Sequence, residues 1–88
     1  MHQIEFLTFG PRKSEKTITK ECAKYADRNG DYKGQITGIR FSDMPPMKTY
    51  QNAVEWIESH DRGWYDCLAI KYKEKGRLYW LVKIEFHT

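Results

Sequence analysis

Four cations and two tyrosines near the C-terminus have the types and spacing to act on a partner. Lys71, Lys73, Arg77 and Lys83 stand at odd-numbered positions, and Tyr65 and Tyr79 share that parity. In an extended chain, alternate side chains point to one face. Cations there neutralise phosphates and aromatic rings stack on bases, the combination used by sheet-based RNA binders. Cys67, Ala69 and Leu81 share the parity too. They give the same face an apolar centre inside a charged rim, which suits a protein partner.

Other chemistries find fewer parts. A metal site needs three or four ligands, yet His2 and His87 lie near the termini and His60 stands alone with Asp61. There is no HExxH and no CxxC. Glu58, Asp61 and Asp66 read as a solvated helix end and turn. Cys67 lacks a nearby base, because His87 falls past the far end of its hairpin. Gly10-Pro11-Arg12-Lys13-Ser14 has one glycine and is no phosphate loop. Arg12, Lys13 and a helix start behind them still suit an isolated anion. Met44-Pro45-Pro46-Met47 is a stiff apolar connection, either a partner anchor or a loop whose methionines fold back on the helix ends. Trp56 and Trp64 bracket His60-Asp61-Arg62 and read as partly buried core. No catalytic residue, metal or cofactor is expected, and the chain reads as non-enzymatic.

The elements that position these residues follow from pattern. Residues 2–9 are strand formers halted by Gly10-Pro11. Ser14 suits an N-cap, and Ile18, Cys22, Tyr25 and Ala26 form an apolar stripe at helical spacing. Asn29-Gly30 closes that helix, which spans 15–28. Residues 35–42 read as a second strand with a bulge at Gly38. Thr49 caps a second helix whose stripe is Tyr50, Ala53, Val54 and Ile57, ending near His60. Residues 64–73 and 77–87 form a hairpin. A three-residue loop, Glu74-Lys75-Gly76, pairs Tyr72 with Leu78, Ile70 with Trp80 and Leu68 with Val82. That register makes one face almost wholly apolar and leaves the other to Tyr65, Lys71, Lys73, Arg77, Tyr79, Leu81 and Lys83. A two-residue loop would slip the faces and carry lysines into the core.

The order β-α-β-α-β-β, with right-handed crossovers, makes the first three strands parallel and the fourth antiparallel at the end of the sheet. The expected fold is an α/β, α+β-like two-layer sandwich: a four-stranded mixed sheet, two helices on one face and a C-terminal β-hairpin. The similar stretches Asn29 to Tyr32 and Arg62 to Asp66 reflect successive βα units.

Composition bounds the rest. The 88 residues fit a single domain spanning 1–88. With 15 Lys+Arg against 12 Asp+Glu the net charge is +3, an ordinary solubility charge unless clustered. Residues 1–30 carry net +2, residues 31–66 net −2 and residues 67–88 net +3. Thirteen aromatics are more than so small a core needs, which points to an interface. Cys22 and Cys67 read as free buried thiols in a reducing compartment. No leader peptide or membrane span is legible, so the cytoplasm is the expected location. The function expected first is a small protein-interaction module, a regulator or inhibitor docking on a protein partner or a second copy through the hairpin face. The alternative is nucleic-acid binding through the basic and aromatic residues of that face.

Overall fold

The computed structural model describes residues 2–28, 38–60 and 67–87, and the side chains of these apart from 2, 3, 60 and 85–87. The elements are β1 (His2–Phe9), α1 (Glu15–Arg28), β2 (Ile39–Phe41), α2 (Tyr50–His60), β3 (Cys67–Glu74) and β4 (Arg77–His87). Two helices and one mixed sheet of four strands, ending in the β3–β4 hairpin, make an α+β fold. The expected repeat stretches, the turn at 31–34 and the segment holding Trp64, Tyr65 and Asp66 lie outside the described residues.

Local signals place the helices. The Ser14 hydroxyl accepts the Thr17 amide at 3.1 Å, and Thr49 does the same for Asn52 at 3.0 Å. Each cap satisfies a donor that the first turn cannot use internally. Ile18, Cys22 and Ala26 of α1 are buried, as their spacing requires. Strand β2 is Ile39–Phe41; residues 35–37 of the expected 35–42 lie outside the described residues, and Gly38 precedes the strand instead of bulging it.

The sheet order is β1-β4-β3-β2, so β4 is central and not terminal as expected. It runs antiparallel to both neighbours, while β2 is parallel to β3. Strands β1, β2 and β3 therefore share one direction. The step from β1 to β2 crosses the whole sheet, and the step from β2 to β3 returns. Two crossovers of one hand that travel in opposite directions lie on opposite faces. The helices do so here, which corrects the two-layer expectation. Ile18, Cys22 and Ala26 of α1 pack with Cys67, Ala69, Val82 and Ile84. Ala53 and Ile57 of α2 pack with Leu68, Ile70, Tyr72 and Leu81. Neither face of the hairpin base is open.

The hairpin register is also corrected. Glu74 pairs with Arg77, Tyr72 with Tyr79, Ile70 with Leu81 and Leu68 with Lys83. The loop is the two residues Lys75 and Gly76, with φ of 52° and 76°. Positive φ at both positions is the type I′ turn, whose twist matches the flanking strands. The expected register sought one apolar and one polar face, but β4 needs apolar residues on both. The slip carries Lys83 inside, where it is 4% exposed and takes part in an interaction within the fold.

The Met-Pro-Pro-Met connection folds back. Met44 and Met47 pack against the α2-side core. The Met47 amide donates to the Lys71 carbonyl at 2.8 Å, and its carbonyl accepts the Lys73 amide at 3.0 Å. Met47 thus extends the cover that β2 gives to the outer edge of β3.

Candidate functional site

The residues expected on one face are divided among three places. Leu81 is fully buried beneath α2 and Lys83 lies nearly buried beside it, so neither offers a docking surface. Lys71 and Lys73 project to the α1 side, and Arg77 and Tyr79 to the α2 side, because β3 residues of one parity pair with β4 residues of the other. Lys71 is half-buried, with its ammonium 5.7 Å from the centre of the Trp80 ring. That cation–π contact stabilises Trp80, which also meets Phe41 edge to face at 5.1 Å. Tyr65 lies outside the described residues. Lys73 and Arg77 remain exposed, at the hairpin tip.

The tip meets a second segment that has no place in the face reading. Strand β1 lies beside β4 with Phe9 opposite Trp80, so the chain leaving β1 passes the start of β4. A cleft of about 560 Å³ opens there, lined by Pro11, Arg12, Gly76, Arg77 and Leu78. Gly10 permits the approach. Its φ is +136°, and a Cβ would stand 3.1 Å from the Leu78 carbonyl oxygen and 3.1 Å from the Tyr79 ring. Arg12 sits at φ 68°, a left-handed conformation costing a side-chain-bearing residue about 1–2 kcal/mol. Strained backbone of this kind gathers at binding sites, where the surrounding fold holds it in place.

The charge of the chain converges on the same end. The three parallel strands all finish here, so the β1–α1 connection, the β2–α2 connection and the hairpin tip lie at the same end of the sheet. Segments 10–14, 42–49 and 73–77 hold six Lys and Arg against two Asp and Glu, a net +4. The whole chain is +3, so the rest is net −1. Lys13 is partly occupied by Glu21 at 2.9 Å, an exposed pair of little energetic weight. Arg12, Lys73, Lys75 and Arg77 are exposed. The carboxyl end of parallel strands is where open α/β sheets take ligands.

A tyrosine stack lies on the α2 side of the hairpin. Tyr79 stacks on Tyr72 with ring centres 5.4 Å apart, and Tyr50 meets Tyr72 edge to face at 5.5 Å. Burial pushes the Tyr72 phenol above its ordinary pKa, opposed by a hydrogen bond with Thr8. The outer members, half-buried Tyr79 and exposed Tyr50, present ring area at the basic end.

The cysteines are away from this end. Both are free and buried. Burial, with smaller contributions from Cys67 and Glu21, pushes the Cys22 thiol up to about 12. A thiol so resistant to ionisation is a poor nucleophile. Among the described residues, no three His, Cys, Asp or Glu gather closely enough to hold a metal ion, and no helix is long and apolar enough to cross a membrane.

The cleft combines two motifs visible in the sequence, Gly10 to Ser14 and the hairpin tip. Only the strand order joins them. Compared with family models, with curated proteins and with solved structures, the chain gives no match.

Proposed function

We propose that this chain is a non-catalytic binding module that engages the backbone of a nucleic acid through the basic end of its sheet. The observation that carries this reading is the concentration of net charge: three short segments at one end hold +4, and the remainder of the chain holds −1. Phosphates are the natural counterpart of clustered, exposed lysine and arginine, and counterion release drives their association. Arg12 and Arg77 supply planar forks suited to phosphate oxygens. Tyr79 and Tyr50 supply sequence-tolerant stacking at the margin. The free, buried cysteines fit a reducing compartment such as the cytoplasm.

The test is binding to labelled single- and double-stranded RNA and DNA at about 50 and 200 mM salt. Three to five phosphate contacts on duplex DNA give a log–log slope of roughly −3 to −4.5. Absence of binding at the lower salt removes the nucleic-acid reading. An acidic protein surface is the second reading, favoured by Leu78, which is 42% exposed beside the cleft and would add an apolar contact. That partner would be recovered by pull-down with the wild type and lost with Leu78→Asp.

A further inference from the structure

Arg12 and Arg77 share one cleft of about 560 Å³, walled by Pro11, Gly76 and Leu78. Among the described residues no carboxylate lines it, and neither guanidinium forms an ion pair or a ring contact. Glu74 stands opposite Arg77 in the hairpin register without pairing to its charge. Lys13 and Lys71, by contrast, are engaged by Glu21 and by Trp80. The cleft therefore holds two fixed cations whose counter-charge the described fold does not supply.

The chemistry of the cleft favours one class of anion. Pro11 and Leu78 give it apolar walls, which concentrate the field of the two charges inside. A phosphomonoester carries about −1.5 to −2 charges at pH 7 and three unsubstituted oxygens. A phosphodiester within a strand carries one charge and two such oxygens, and its chain must leave on both sides. Arginine forks grip phosphate oxygens in pairs, so two forks match the first anion better than the second. We propose that the cleft is a phosphomonoester site in which Arg12 and Arg77 together hold one terminal phosphate. Its volume leaves room for the phosphate and part of the group that carries it. This deepens the proposed function and rests on it for one point, that phosphate is the counterpart of this end. The same chemistry is offered by the phosphorylated end of a nucleic acid strand and by a small phosphorylated molecule.

The test compares binding of the full chain to two single strands. One is phosphorylated at one end, tried at the 5′ and at the 3′ end. The other has hydroxyl ends and is two nucleotides longer, so that it carries the same charge. Phenyl phosphate is titrated separately and followed through amide shifts in nuclear magnetic resonance spectra. The phosphorylated strand should bind about tenfold more tightly, and phenyl phosphate should shift the amides of residues 12 and 76–78. Arg12→Gln and Arg77→Gln alter exposed side chains, so the fold should persist, and each should abolish the preference and the shifts. Lys48→Gln removes an exposed charge at the same end but outside the cleft, and should weaken both strands alike.

Phenyl phosphate shifts that both arginine variants abolish, without a preference between strands, assign the site to a small phosphorylated molecule. A preference that survives both arginine variants overturns the proposal. Strands bound alike with no phenyl phosphate shift also overturn it and leave the proposed function standing. Shifts by phenyl phosphate in a protein that binds no strand remove the nucleic-acid reading and keep the cleft assignment. Failure of every ligand removes both.

Discussion

The two ends of one hairpin have opposite fates. At the base, residues 67–70 and 81–84 are all buried, between α1 on one side and α2 on the other. At the tip, residues 73–78 are all exposed and hold Lys73, Lys75 and Arg77. The strands and pairing are continuous between them, so helix cover alone makes the difference. A strand pair covered on both faces cannot offer a face to a partner. It can offer only its turn and what lies beside it. Here the neighbour is the Gly10–Ser14 connection, and the pairing of β1 with β4 makes a site of two basic segments far apart in sequence.

The contrast can be broken from the base. Leu81→Asp places a charge at a fully buried position. It should cost about 4 kcal/mol or more, a large part of a small domain's stability, and denaturant unfolding should show a protein largely unfolded at 25 °C. A folded Leu81→Asp would contradict the register. At the tip, Lys73→Ala with Lys75→Ala and Arg77→Ala should leave stability nearly unchanged. It should flatten the salt slope of duplex binding by about 2.7, as titration at several salt concentrations would show. Gly10→Ala acts between these regions. The positive φ and the 3.1 Å contacts predict a loss of about 1–3 kcal/mol by thermal or chemical unfolding, with weaker binding as the cleft shifts.

Two smaller effects sharpen the comparison. The base should respond to alkali. Cys22 is held neutral in the fold, with its pKa raised from 9.0 to about 12, whereas the unfolded thiol ionises near 9.0. The folded state therefore binds the proton more tightly. Its stabilising contribution is complete below pH 9.0 and is lost progressively as pH rises to about 12. Urea midpoints should fall across that window, and Cys22→Ala should reduce the fall. At the tip, Lys75→Asn replaces a lysine at φ 52° with a residue that tolerates the left-handed region. It should raise stability by about 0.5–1 kcal/mol while weakening nucleic-acid binding.

The parts of this fold that were legible are those set by local chemistry. Strand β1 ends at Gly10-Pro11, α1 begins after Ser14 and α2 after Thr49, because breakers and caps act within a few residues. The register was not local. Lys71 and Lys83 argued for the wrong loop, since charge is expected outside. In the structure Trp80 meets one ammonium and the fold encloses the other. A better signal was present in Leu78-Tyr79-Trp80-Leu81-Val82, five successive apolar or aromatic residues. Such a run marks a strand buried on both sides, hence a central one. Of the expected site residues, Lys73 and Arg77 stand in the exposed basic cluster, whereas Leu81 and Lys83 are core. Arg12 could be noted as an anion ligand but not joined to the tip, because strand order depends on contacts far apart in sequence.

Under the proposed function the tip and the Gly10–Ser14 connection bind while the hairpin base does not. The most direct test is a titration of isotopically labelled protein with a short oligonucleotide, followed amide by amide in nuclear magnetic resonance spectra. Shifts concentrated in residues 10–13 and 73–78, with 67–70 and 81–84 nearly still, are the predicted result. Shifts centred on the helices or the base, or none at low salt, would contradict it.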